Sequence, residues 1–301
     1  MSLTIFYHPD FLNHDTGNGH PERSDRLTAC ISAINSADFG NQLEWKYPHS
    51  ATEEELRQVH TAEHIQSIKD ICNSGGGYLE PDTPVCKESY KIALKSSGAW
   101  IDGISEINKG NSVFVLSRPP GHHAEINKAM GFCLFSNAAL AAVSALKNSN
   151  IDRVTIFDWD VHHGNGTQNI VKNNPNIFYV SMHQFPFYPG TGSQIETGKY
   201  NNILNIPLNE GIGSIEFRKY FDDLVYKFIQ NSKPDLIIIS AGFDAHYRDP
   251  LASINLTAND FSYMTKRLLE IKPQLLIGLE GGYDLRALGE CSLSVVKELV
   301  K

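Results

Sequence analysis

The chain has 301 residues, 41% of them hydrophobic and 20% charged, which is enough apolar material for a sizeable core and the length of one large α/β domain or two small ones. Its net charge is −8 with no cluster of Lys and Arg, so nucleic-acid binding gets no support, and no apolar run approaches the ~20 residues needed to span a bilayer. The first residues, MSLTIFYHPD, lack a basic region followed by an apolar one and a cleavage site, so a cytoplasmic location is expected.

Leu3–Tyr7 reads as a first strand, followed by a polar loop over His8–Gly19. Pro21 opens a helix, with Pro and Glu favoured in its first turn and Leu27, Ile31 and Ile34 at helical spacing. Leu43–Tyr47 is a candidate strand. Thr52–Arg57 and Thr61–Cys72 read as short helices, the first capped by Thr52 with Glu55 three residues on. Asn73–Pro84, with three consecutive glycines, reads as a loop, and Glu88–Asn108 as a long helix. From there strands and helices alternate. Strands Val113–Leu116, Val154–Asp158, Ile177–Met182, Ile203–Ile206, Leu236–Ala241 and Leu275–Leu279 are interleaved with helices Asn137–Lys147, Thr167–Lys172, Ser214–Ile229, Ala258–Glu270 and Ala287–Leu299. The strands are nearly all apolar rather than alternating, which predicts a parallel sheet covered on both faces. With no composition break and no repeat, residues 1–301 are expected to form a single domain.

The five cysteines (Cys30, Cys72, Cys86, Cys133, Cys291) are odd in number and form no C-x-x-C pair. That argues against a disulfide framework and against a thiolate zinc site. They are read as buried small hydrophobes, with Cys133 close enough to a motif below to line a site.

In open α/β sheets ligands bind beyond the carboxyl ends of the strands. Here those ends carry the titratable groups. His122 and His123 follow Val113–Leu116; Asp160, His162 and His163 follow Val154–Asp158; His183 follows Ile177–Met182. Asp244 follows Leu236–Ala241, and Tyr283 follows Leu275–Leu279. The opposite loops, such as 148–153 and 231–235, carry few such groups. Asp160 and His162 stand two apart, on one side of extended chain, and with Asp244 make three ligands. Asp/His ligation suits zinc, and three ligands leave a fourth position open for water. Zinc lowers the pKa of bound water to about 7 and polarises a carbonyl oxygen. The pair His122–His123 would then supply base and acid, each needing its other ring nitrogen held; Asp158 and Asn165 are the candidates. Tyr283, after two glycines, is placed to donate its hydroxyl to a developing oxyanion. Phe132 and Tyr188 sit in rim loops beside Gly or Pro and are candidate channel walls. His183 reads as a structural or rim histidine. His8, His14, His20, His49, His60, His64 and His246 read mostly as surface or helix residues, with His20, at the start of the Pro21 helix, a candidate for a structural place near the site. Together these parts describe metal-assisted amide hydrolysis.

The motifs HPERSDRL (His20–Leu27), RPPGHHA (Arg118–Ala124), DWDVHHGNG (Asp158–Gly166), SAGFDAHYRDPL (Ser240–Leu251) and LEGGYDL (Leu279–Leu285) strongly resemble the histone deacetylase superfamily, nearest its class II branch and bacterial relatives. The resemblance covers nearly the whole chain, in the family's order. It implies an arginase/deacetylase-type fold with about eight parallel strands and zinc-dependent deacetylation of N-acetyl-lysine or a related amide. Asp160, His162 and Asp244 match the family's zinc ligands, His122 and His123 its tandem histidines, and Asp158 the partner of the first. Asn165 stands where class I members have Asp, as is usual for class II. The second histidine should then be the better general base and acid, its proton being held less tightly. Tyr283 matches the catalytic tyrosine, which is histidine in the poorly active class IIa branch. Gly131, Phe132, Tyr188 and Gly282 match the acyl-lysine channel. Leu251 matches a gate position that is hydrophobic in lysine deacetylases and glutamate in a polyamine-specific relative. A potassium site is implied from backbone carbonyls of Asp158, Asp160, His162 and Met182 with the Asp158 and Ser181 side chains.

The resemblance thus implies acetylated lysine in proteins or peptides as substrate, with acetylated polyamine as the alternative and a non-catalytic acyl-lysine binding module as a third reading. No nucleic-acid or membrane partner is expected. A two-metal ureohydrolase would call for more bridging carboxylates, and the H-E-x-x-H motif of zinc proteases is absent.

Overall fold

The computed structural model describes residues 2–301. In chain order its elements are β1 (Leu3–Phe6), α1 (Asp25–Asn35), β2 (Leu43–Lys46), α2 (Glu53–Leu56), α3 (Ala62–Asn73), β3 (Gly76–Glu80), β4 (Thr83–Cys86), α4 (Ser89–Asn108), β5 (Ser112–Val115) and α5 (Asn137–Ala145). Then follow β6 (Val154–Asp158), α6 (Asn165–Val171), β7 (Ile177–Gln184), β8 (Ile203–Leu208), α7 (Ser214–Tyr220), α8 (Lys227–Ser232), β9 (Leu236–Ala241), α9 (Ala258–Leu269), β10 (Leu275–Leu279) and α10 (Leu285–Leu299).

Eight strands form one sheet in the order β2-β1-β5-β10-β9-β6-β7-β8, every pairing parallel. The continuous apolar strands explain this. Successive side chains point to opposite faces, and both faces are covered. Along β9, Ile237 and Ile239 join the core formed with α1, α9 and α10, while Leu236 and Ile238 join the core formed with α4 and α5. Because all eight strands run the same way, their carboxyl ends share one edge. Every loop that carries chemistry therefore starts from that edge.

Three segments differ from the sequence reading. Asn73–Pro84, expected as a loop, mostly forms the antiparallel hairpin β3–β4, with Gly76 opposite Cys86, Tyr78 opposite Pro84 and a bulge between Tyr78 and Glu80. Glycine and proline weaken strand propensity locally, so the pattern hid the hairpin. The helix expected from Pro21 begins at Asp25, because Glu22 is drawn into a buried ion pair with Arg118 and Arg26. The helix expected over Ser214–Ile229 contains a π-helical stretch over Phe221–Tyr226. Its buried residues Phe217, Phe221, Val225 and Ile229 recur every four positions. An α-helix overshoots that interval by about 40°, and a wider turn takes up the drift.

Candidate active site

β6 ends at Asp158, and the chain leaves it as Trp159–Gly164 before α6 begins. Here Asp160 and His162 meet Asp244 from the loop after β9. His162 Nδ1 lies 3.1 Å from Asp160 Oδ1 and 3.2 Å from Asp244 Oδ2. Backbone donors fix the carboxylates: Gly281 N–H reaches Asp160 Oδ2 at 2.8 Å, and Val161 N–H reaches Asp244 Oδ1 at 2.9 Å. The chain at Gly281 runs so close that a Cβ there would meet both carboxylates. Both carboxylates are fully buried. Burial, and then repulsion from Asp160, raise the Asp244 pKa to about 7. Burial works against a charge on His162, but its bonds to Asp160 and Asp244 outweigh that and hold its pKa up at about 10. Two buried carboxylates and one imidazole nitrogen thus converge at one point. A divalent cation fits this donor set.

The loop after β5 carries His122 and His123, their ring centroids 3.9 Å apart. Each has a different orienting partner. His122 Nδ1 faces Asp158 Oδ2 at 3.1 Å, and Tyr179 of β7 donates to the same oxygen at 3.0 Å. His123 Nδ1 faces Asn165 Oδ1 at 2.8 Å. Asn165 Nδ2 donates to Glu125 Oε1 at 2.8 Å, which fixes Asn165 Oδ1 as the acceptor. The proton of neutral His123 is accordingly assigned to Nδ1, leaving Nε2 free to accept. The two histidines are pushed apart electrically. Burial disfavours charge on His122, yet Asp160 and Asp158 hold its pKa up at about 10. Burial, then the charges of His122 and His162, drive His123 well below its ordinary value. The surroundings thus favour the charged form of His122 and the neutral form of His123.

A pocket of about 220 Å³ reaches this cluster. Phe132, Phe187 and Tyr188 wall it, with Gly131, Leu251 and Asp82, and it exposes His123, His162 and Tyr283. Phe132 stands at φ +68, in the left-handed region that is strained for an aromatic residue. Tyr283 is kept protonated, because burial pushes its hydroxyl well above the ordinary value despite Arg26 nearby.

The sequence-assigned residues fall into two groups. Asp160, His162, Asp244, His122, His123 and Tyr283 converge, with Asp158 and Asn165 directly behind the histidines. Gly131, Phe132, Tyr188 and Leu251 line the pocket. Gly282 does not line it; its carbonyl turns away to accept from Arg26 Nε at 2.7 Å. Ser181 and Met182 lie on β7 rather than in the pocket, Ser181 being the register partner of Asp158 and bonded to His183 Nδ1 at 2.9 Å. His183 and His163 are buried and face the 185–200 loop through Gly192 and Thr191. Of the histidines expected mostly at surfaces or on helices, His64 lies on α3 but is buried, and His14, His60 and His246 are buried outside helices. Their apolar neighbours lie far away in sequence, which local pattern does not show. His20 lies beside the site, its ring 4.7 Å from Phe132.

Sequence reading missed several contributors. Glu280 accepts from Gly121 N–H at 2.6 Å, from His122 N–H at 3.2 Å and from Ser240 Oγ at 3.1 Å, and so holds the histidine loop. A buried acid between an apolar strand and two glycines was the available signal. Asp82 reaches the pocket only because the unforeseen hairpin carries it there. Asp249 and the Glu22–Arg26–Arg118 network support the Tyr283 loop. Cys133 forms a second close group with His122 and Glu280. There the carboxylate already accepts three hydrogen bonds and His122 Nδ1 is engaged by Asp158, so the Asp160–His162–Asp244 group is the better cation cradle.

Residues 20–299 match the family model described as Histone deacetylase domain. A probable deacetylase of Methanothermobacter thermautotrophicus is 36% identical over 99% of this chain and 90% of its own length. A histone deacetylase-like amidohydrolase of Pseudomonas aeruginosa is 33% identical over 93% of this chain and 77% of its own. The crystal structure of the HDA15 HD domain superposes with a TM-score of 0.94 at 35% identity, covering 99% of this chain and 89% of that one.

Proposed function

The chain belongs to the histone deacetylase family of hydrolases, and from that premise we propose that it is a zinc-dependent amidohydrolase removing acetyl groups from N-ε-acetyl-lysine. The observation that carries this reading is the convergence of the Asp160, His162 and Asp244 donor atoms beside a pocket that also exposes His123 and Tyr283. In this reading residues 1–301 act as one catalytic unit, since the site draws on loops from β5, β6, β9 and β10.

Asp160, His162 and Asp244 would hold the zinc, which would supply Lewis-acid polarisation of the amide carbonyl and acidify a water. The protein's own residues do the rest. His123, neutral and with Nε2 open, takes a proton from the attacking water. His122, oriented by Asp158 and favoured as imidazolium by the Asp160 and Asp158 carboxylates, offsets the negative charge that develops beside it. The protonated Tyr283 hydroxyl donates to the oxyanion of the attacked carbonyl. His123 then returns its proton to the leaving amine, which departs as lysine while acetate remains. A structural potassium ion belongs to the same reading, held by carbonyls of Asp158, Asp160, His162 and Met182 with the Asp158 and Ser181 side chains. The pairing of Asp158 with Ser181 across β6 and β7 supports it.

Phe132, Phe187, Tyr188 and Leu251 give the pocket an apolar wall suited to the methylene stem of acetyl-lysine. One observation favours a second reading, an acetylated polyamine. Asp82 lines the same pocket and offers a carboxylate to a distal ammonium. The complete donor set with Tyr283 argues against a binding module without catalysis. No described helix is long and apolar enough to cross a membrane, and a cytoplasmic location remains part of the proposal.

The test is acetate release by zinc-loaded protein from an acetyl-lysine peptide and from N-acetylputrescine, with Tyr283→Phe as control. Turnover of the peptide, lost by about 10²–10³-fold in the variant, is expected. Preference for acetylputrescine would move the substrate to the second reading. No turnover of either would remove the hydrolase proposal.

A further inference from the structure

The loop that presents Tyr283 begins with Gly281 and Gly282, and Gly282 stands at φ +116. Two glycines give this chain little stiffness of its own. The Tyr283 hydroxyl makes no hydrogen bond within the described residues; its ring rests edge-on against Phe132, with centroids 6.0 Å apart. The direction in which the hydroxyl points is therefore set by the backbone at 282–283.

That backbone is gripped at a single peptide unit. The carbonyl of Gly282 accepts from Arg26 Nε at 2.7 Å. The N–H of the same peptide bond, that of Tyr283, donates to Asp249 Oδ2 at 2.7 Å. A cation sits at the negative end of the peptide dipole and an anion at its positive end. Both bonds are charge-assisted, the stronger kind. The Arg26 end is rigid. Its guanidinium also bonds Glu22 Oε1 at 3.0 Å and the carbonyl of Glu280, and lies 5.0 Å over the Tyr283 ring. Asp249 supplies the other end from the loop after β9. Its Oδ1 accepts from Leu251 N–H at 3.0 Å, and its Oδ2 also faces Asp284 N–H at 3.4 Å.

We propose that Asp249 is a positioning residue for Tyr283: with Arg26 it clamps the Gly282–Tyr283 peptide so that the hydroxyl faces the reacting carbonyl, and it couples this tyrosine to the Leu251 segment of the pocket wall. The proposal deepens the hydrolase reading, because it takes Tyr283 as the hydroxyl donor. It predicts a loss in turnover rather than in substrate binding. The aromatic walls Phe132, Phe187 and Tyr188 do not depend on Asp249 and keep the substrate stem bound, while the donor spends less time where charge develops.

The experiment is a double-mutant cycle on the zinc-loaded full chain with an acetyl-lysine peptide. Asp249→Ala is expected to lower kcat by about 10–100-fold with KM within about threefold. Asp249→Asn keeps one acceptor oxygen and is expected to fall between. In a Tyr283→Phe background, Asp249→Ala should cost less than about threefold, because the group it positions is gone. Equal losses in both backgrounds, or a loss carried by KM alone, would overturn the proposal. A second readout is independent of turnover. Fluorotyrosine placed at position 283 should give one sharp ¹⁹F resonance in the otherwise unchanged protein, and a broadened or second resonance with Asp249→Ala. A spectrum unaltered by Asp249→Ala would overturn the clamp even if acetate release failed throughout, whereas a changed spectrum with no turnover in any form would leave the clamp standing and remove the hydrolase reading.

Discussion

His123 Nδ1 lies 2.8 Å from the amide oxygen of Asn165, whereas the equivalent nitrogen of His122 lies 3.1 Å from the carboxylate of Asp158. Two adjacent imidazoles are thus oriented by partners of different charge. The neutral partner leaves His123 as the weaker proton holder of the pair.

Replacing that partner should move the pH dependence in a defined direction. His123 acts as base only when neutral, and its pKa is already driven down by burial and by the neighbouring charge of His122. Asn165→Asp adds a negative charge at Nδ1, which favours the imidazolium and raises that pKa. The acid limb of the kcat/KM profile is expected to move up by about one pH unit or more, with activity lost first below neutrality. An unmoved profile would remove His123 from the role of base.

Substrate choice turns on the pocket wall. Leu251 lines it beside Phe132 and Tyr188, and Asp82 is the carboxylate already present there. Leu251→Glu adds a second negative charge. The ratio of kcat/KM for N-acetylputrescine over an acetyl-lysine peptide is expected to rise by about tenfold, which corresponds to roughly 1.4 kcal/mol of differential binding. An unchanged ratio would mean that position 251 does not face the bound amine.

The ion network beneath Tyr283 should be a stability determinant. Glu22 is fully buried, with Arg118 Nε at 2.5 Å and Arg26 at 3.0 Å. Burial disfavours its charge, but Arg118 and then Arg26 hold its pKa well below the carboxylate range. Glu22→Gln leaves two guanidinium groups buried against a neutral amide and is expected to cost about 3–5 kcal/mol in urea unfolding at pH 7. Because the folded-state pKa is depressed, the contribution of Glu22 is present above its unfolded value near 4.5 and is lost as the pH falls through the folded one. The gap between the two proteins should therefore narrow steadily below pH 4.5. A gap that persists unchanged would assign the loss to packing.

Much of this was legible in the chain. The strands are continuous apolar runs with breakers at their ends, so the parallel sheet and the rim of titratable groups followed from pattern alone. Asp160, His162, Asp244, the histidine pair and Tyr283 stand out because charged groups at the ends of apolar strands need partners. The supporting residues were less visible. Asp249 and Glu280 act on segments more than thirty residues away in sequence, through backbone N–H groups that no side-chain pattern encodes, and Glu22 pairs with the Arg118 side chain at a similarly long sequence distance. Asp82 depends on a hairpin whose glycines and prolines masked its strands. Gly282 was assigned to the channel by resemblance, yet its carbonyl faces Arg26.

The most direct test of the metal-dependent account is acetate release from an acetyl-lysine peptide by protein stripped with a chelator and then titrated with zinc. Activity should be absent from the stripped protein, rise with added zinc and break at one equivalent per chain, with no such rise in Asp244→Ala. Full turnover by the stripped protein, or a break at two equivalents, would contradict it.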